Sequence, residues 1–105
     1  MQEQIDQAFR NVDLALRATS ASTDSGKGKG KVVGWPQVFR VNSYHVPLDG
    51  DALGAMARNF RRWCPDHQPI WTAVGVAQLG DENMKVEIEV QAYDPQLQGA
   101  KREEA

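Results

Sequence analysis

The sequence predicts an α+β fold in which two amphipathic helices pack on one face of a mixed sheet, in the order helix, strand, helix, strand, strand. Three observations predict it. Residues 84–92 alternate, so that Met84, Val86, Ile88, Val90 and Ala92 fall on one face of a strand and Lys85, Glu87, Glu89 and Gln91 on the other. Ile5, Ala8, Phe9, Val12, Ala15 and Leu16 recur at helical spacing, and so do Leu53, Met56, Ala57, Phe60, Trp63 and Cys64. At 105 residues the chain is long enough to bury one modest core and too short for two, so residues 1–105 are expected to form a single domain.

Each element follows from its local pattern. Residues 2–18 read as the first helix, with Asp6, Arg10, Asp13 and Arg17 toward its other side. Residues 19–31 hold mainly Ser, Thr, Gly and Lys and no hydrophobic side chain larger than Ala, a composition that cannot repay the entropy of ordering. Residues 19–34 are therefore expected to be a flexible connector. Residues 37–46 are rich in Val, Phe and Tyr and close on Pro47, Asp49 and Gly50, which fits a strand ending in a turn. Asp49 or Asp51 offers the N-cap of a second helix, which Pro65 ends. Residues 70–79 carry apolar side chains on both faces and are expected to form an inner strand covered on two sides. Joined through Gly80-Asp81-Glu82-Asn83 to the alternating run, they read as a hairpin. Residues 95–105 are a polar tail.

Composition narrows the function. Twelve Lys and Arg against fourteen Asp and Glu give a formal net charge of -2, whereas a dedicated nucleic-acid binder shows a basic excess. The one cysteine, Cys64, cannot form an internal disulfide, which fits a reducing compartment. No apolar run approaches the roughly 20 residues needed to span a bilayer, and no secretory signal opens the sequence, so a soluble cytoplasmic protein is expected. His45 and His67 lie on different elements and no HxxxH, HExxH or CxxC spacing occurs. No metal site and no cofactor are expected.

The pattern P-x-W-T-x-V-G-V-x-x-L beginning at Pro69, followed by V-E-I-E-V-Q-A beginning at Val86, resembles the closing hairpin of the Rid family. These reactive intermediate deaminases, also called YjgF-like proteins, carry the older name L-PSP endoribonucleases. The resemblance runs over about residues 4–94 and is strongest at 35–50 and 65–92. It implies a chorismate-mutase-like two-layer fold, three subunits whose sheets pack into a central barrel, and imine hydrolysis in clefts between subunits. In such clefts an Arg binds the substrate carboxylate and a Glu on the last strand holds the attacking water. The family also has a β-hairpin before its first helix, while this sequence opens directly into that helix. The expectation is a fragment of a longer protein, because the adjoining sheet edge would otherwise lack its neighbours.

Carried over residue by residue, the water-holding Glu maps onto Glu87, the proposed catalytic residue. The Arg of the family's P-x-R-T pattern is replaced by Trp71, which removes the carboxylate clamp at that place and offers a flat apolar or cation-binding wall instead. The backbone around Ala73 would hold the polar end of the substrate, and His67, in Asp66-His67-Gln68-Pro69, would donate a hydrogen bond. Each has a plainer alternative: Trp71 as interface packing, Glu87 as a solvated strand residue like Glu89, His67 as a loop cap. Cys64 sits at a helix end with nothing to mark it as a nucleophile. The run Gly26 to Lys31 lacks the order of a phosphate-binding loop and reads as a solvated linker. Arg58, Arg61 and Arg62 beside Trp63 form the densest basic patch and would anchor any contact with RNA.

Three functions follow from this reading. The first is a homotrimer that binds a small molecule in intersubunit clefts and hydrolyses reactive enamines or imines. The second is a regulatory trimer that has kept the cleft and lost turnover. The third is RNA binding or cleavage, against which the charge balance and the separated histidines both count.

Overall fold

A computed structural model describes residues 2–24 and 33–94, with side chains for 2–19 and 33–94. Its elements are helix α1 (Gln2–Asp24), a 3-10 turn (Trp35–Gln37), strand β1 (Val38–His45), helix α2 (Gly50–Trp63), strand β2 (Ile70–Gly75) and strand β3 (Val86–Ala92). Both helices pack on one face of a three-stranded mixed sheet, the α+β architecture expected. The polar tail and the lysine-glycine run lie outside the described residues.

The core grows from aromatic side chains that α1, the 3-10 turn, α2 and β2 each contribute. Phe9 stacks on Trp35 with ring centroids 4.7 Å apart, and Phe60 meets Phe9 edge-on at 5.3 Å and Trp35 at 6.4 Å. Trp71 continues the chain against Phe60 at 5.1 Å. Such contacts add roughly 0.5–1.5 kcal/mol each beyond burial of their area. The Trp35 indole N–H donates to the Phe9 carbonyl at 2.9 Å, so its polar end is satisfied inside the core. Around the rings lie Ile5, Val38, Val41, Ala52, Ala55 and Met56, all buried.

α2 starts where the sequence offers a cap. The Asp49 carboxylate accepts the Ala52 N–H at 2.9 Å, which selects Asp49 over Asp51 as the N-cap. α1 departs from expectation in three ways. It continues through residues 19–24, with the Thr19 hydroxyl donating back to the Ala15 carbonyl, so the polar composition does not stop it. Ala15 is exposed, outside the apolar stripe. Asp13, expected on the wet side, is buried and accepts from Arg17 Nε at 2.8 Å across one turn. At the far end of the expected connector, Val33 and Gly34 are buried, and a β-carbon at Gly34 would sit 3.1 Å from Asp13 Oδ1 of α1.

The sheet corrects the expected hairpin. The strand order is β2-β1-β3, with β1 parallel to β2 and antiparallel to β3. Both outer strands meet β1 at His45, which pairs with Gly75 on one side and Val86 on the other, so residues 76–85 cross over the end of β1. Ten residues are too many for a tight turn and enough for this crossing. The loop is tied down from both sides: Val76 N–H donates to the His45 carbonyl, Val46 N–H to that of Lys85, and the Gln4 side chain of α1 bonds both Asn83 O and Lys85 N. β2 is thus an edge strand. Its helix-facing residues are half-buried, while Ile70 is 58% and Val74 37% exposed on the sheet's open face. β3 keeps the predicted alternation, with Val86, Ile88, Val90 and Ala92 toward the helices and Glu87, Glu89 and Gln91 outward.

His45 gives a titration test of this core. Its ring is fully buried, Nδ1 has no hydrogen-bond partner, and burial lowers its pKa against a weaker opposing pull from the Asp49 carboxylate. The folded chain therefore binds fewer protons than the unfolded chain below the ordinary histidine range. Stability should be unaffected by His45 well above pH 6.5 and should fall as pH drops from there toward 5, by at most about 1.4 kcal/mol per pH unit. Denaturant titrations at stepped pH check this, and His45→Gln should flatten the dependence in that window.

Candidate functional site

Register assigns each candidate side chain to a face. In β1, Val41, Ser43 and His45 point to the helices, and Arg40, Asn42 and Tyr44 to the open face. Trp71 lies opposite Val41 and Ala73 opposite Ser43, so both belong to the helix side. Glu87 lies opposite Tyr44, on the open side. The two residues on which the expected cleft was centred therefore leave the sheet in opposite directions within one chain.

Trp71 is held in place by the core. Its indole N–H donates to the buried Ser43 hydroxyl at 2.9 Å, and Ser43 Oγ lies 2.8 Å from His45 Nε2. Ser43 has one proton and two lone pairs, so the indole takes one acceptor site and the imidazole ring takes the other or receives the proton. Phe60 and Trp71 then line a groove of about 680 Å³ at the C-terminal end of α2, together with Ala57, Arg61, Cys64, Pro65, Asp66, His67 and Gln68. His67 Nε2 donates to the Val38 carbonyl at 2.8 Å, which anchors the ring to β1 and fixes which nitrogen carries the proton. The structure thus brings Trp71 and His67 to one groove, with Ala73 beside Ser43 and Glu87 across the sheet.

The other polar groups sort cleanly. Cys64 is buried, its Sγ 3.9 Å from the Trp35 carbonyl, and burial pushes its thiol up to about 11, so it is not a thiolate nucleophile. On the open face the Tyr44 hydroxyl donates to Glu89 at 2.9 Å. That bond, then desolvation and the charges of Glu89 and Glu87, raise the phenol above its ordinary value. Glu87 has no hydrogen bond or ion pair among the described residues and is exposed to solvent. In the basic patch Arg58 is engaged by Asp6 of α1 at 2.8 Å and Arg62 lies 5.5 Å from the Trp63 ring centroid, which leaves Arg61, at the groove, without an acceptor among the described residues.

The geometry can be set beside known proteins. Residues 1–94 match the family model described as Endoribonuclease L-PSP. The chain belongs to that family, which is the Rid, or YjgF-like, family. A Rid-family protein of unknown function, YyfB from Yersinia pestis, is similar over 88% of this chain and 61% of its own, with 22% identity and a TM-score of 0.68. A putative endoribonuclease from Klebsiella pneumoniae is similar over 88% of this chain and 60% of its own (24% identity, TM-score 0.62). The protein YJGH is similar over 90% and 62% (26% identity, TM-score 0.64). This chain spans about three fifths of the length of these solved relatives. No curated protein matches it. Among the described residues no helix of this Rid-family chain is long and apolar enough to cross a membrane.

Sequence reasoning missed Ser43 and Tyr44, and read Arg61 only as part of the basic patch. Ser43 had a signal, a small hydroxyl on the buried parity of a strand that carries His45 two residues on. Replacing it should expose the dependence of Trp71 on its acceptor. Ser43→Ala leaves the half-buried indole N–H without its acceptor and should cost about 1–3 kcal/mol of stability. Thermal melts measure the loss, and a shifted Trp emission maximum would report a reoriented indole.

Proposed function

We propose that this chain is the subunit of a homotrimer that binds a small molecule in clefts between subunits and hydrolyses reactive enamines or imines there. One observation carries the reading. Trp71 and His67 line a groove on the helix side while Glu87 stands free on the open face, so one chain cannot place a bound molecule against Glu87, and a cleft between copies can. The exposed Ile70 and Val74 on that open face supply apolar area for such an assembly. In the cleft, the Glu87 carboxylate accepts a proton from water and turns its oxygen toward the iminium carbon; the resulting carbinolamine expels ammonia or an amine and leaves a carbonyl. The backbone at Ala73 holds the polar end of the substrate and Trp71 shapes the wall. A cytoplasmic setting fits this chemistry.

A second reading keeps the trimer and removes turnover. It is favoured by the fate of position 71, where the indole N–H is spent on Ser43 and no guanidinium takes hold of a carboxylate. The RNA activity in the family's older name has less support here, since Arg58 is paired within the chain and the two histidines are committed to Ser43 and the Val38 carbonyl.

Light scattering after size exclusion should give a particle of roughly 35 kDa, three times the 11.7 kDa chain, under closed cyclic symmetry. With a 2-imino acid generated in situ by an amino-acid oxidase, Glu87→Gln should slow hydrolysis at least about a hundredfold, the scale of a lost general base. Equal rates for the variant and the parent would remove Glu87 from the mechanism; ligand binding without any turnover would favour the regulatory trimer.

A further inference from the structure

The groove at the end of α2 carries more chemistry than a flat wall for an unspecified ligand. Its apolar part is built by Phe60, Trp71, Ala57 and Pro65, with two aromatic rings in edge contact at 5.1 Å. Its polar part holds one cation, Arg61, and one anion, Asp66. These two line the same groove and make no ion pair with each other, nor has either a salt-bridge partner among the described residues. The two charges sit on different segments: α2 ends at Trp63, and Asp66 lies beyond Pro65. Pro65 fixes the backbone on the Asp66 side, and the last turn of α2 fixes it on the Arg61 side.

We infer that this groove binds a zwitterion with an aromatic side chain, an aromatic α-amino acid or a close derivative of one. The carboxylate takes the Arg61 guanidinium, whose planar fork matches it bidentately. The ammonium takes Asp66, and the ring packs against the Phe60–Trp71 aromatic pair. A simple anion would meet Asp66 and a simple cation would meet Arg61, so a ligand with only one charge leaves the opposite groove charge facing it unneutralised. The groove volume of about 680 Å³ lies in the range of small-molecule sites. Cys64 and His67 also line the groove; burial keeps the thiol protonated, and His67 Nε2 donates to the Val38 carbonyl. The inference rests on the reading of Trp71 as a ligand-binding residue; it makes no use of Glu87, of turnover or of subunit assembly.

Fluorine NMR titrations of the protein with 4-fluoro-L-phenylalanine, 4-fluorophenylacetate and 4-fluorophenethylamine test it. The amino acid should bind at least about tenfold more tightly than either singly charged analogue, the worth of one charge-assisted contact. Arg61→Gln should erase its advantage over the amine, and Asp66→Asn its advantage over the acid. Both side chains are exposed, and the melting temperature of each variant shows that the fold is intact. Trp71→Leu, with its melt measured, should weaken all three probes together. Equal affinity for the three probes would overturn the inference and leave an unspecific apolar groove, as would no binding of the amino acid at 10-millimolar concentration, the weak end of such affinities. Glu87→Gln should bind the amino acid unchanged, so loss of hydrolysis in that variant and loss of binding in the groove variants fail separately.

Discussion

The two helices and the entry to β1 are organised around Trp35. Its ring stacks on Phe9 of α1, takes the edge of Phe60 from α2, and sends its N–H to the Phe9 carbonyl, while its own carbonyl lies over the Cys64 sulfur. One residue therefore sets the separation of the two helices and the height at which the chain enters β1 three residues later. Because Pro36 follows it, the entry is a stiff 3-10 turn, closed by Gln37 N–H to the Gly34 carbonyl. The crossing loop is fixed at the other end of the sheet by Gln4, so α1 clamps both ends of the layer it covers.

That scaffold explains which parts of the sequence could be read directly. α2 was legible because its cap, most of its apolar stripe and its terminating Pro65 agree, although Leu53 of that stripe is exposed, and β3 because strict alternation has one meaning. The hairpin was not legible. Two apolar runs joined by Gly-Asp-Glu-Asn satisfy every local sign of a hairpin, and the fact that β1 inserts between them is a property of the layer, visible only once β1 is seen to carry buried residues at Val38, Val41, Ser43 and His45 and to be the one strand able to fill the centre. Asp13 went astray for a similar reason. A helix wheel places it outward, but the chain at Gly34 returns over that side of α1 and covers it.

The candidate site was half legible. Trp71 and His67 do meet, in a groove that neither residue announces alone, whereas Glu87 belongs to the opposite face. Parity decides this: 71 and 87 lie on different outer strands, and their faces can be compared only through the residue each opposes on β1, Val41 for one and Tyr44 for the other. Those two differ by an odd number of positions. No pattern within either strand contains that information, because it depends on register across a third strand.

A Trp at position 71, where the family resemblance implies an Arg, then has a physical sense. On this face a side chain at 71 meets the Phe60 ring and the Ser43 hydroxyl, beside a histidine held neutral by burial. A guanidinium there would bring a charge against an aromatic edge with one neutral acceptor in reach, a costly desolvation with little return. An indole matches the same surroundings, offering one donor to one acceptor and an apolar ring to the rest. Once the strand presents that face to the helices, charge recognition has to come from elsewhere in the groove, and Arg61 and Asp66 are the charged residues that the end of α2 places there.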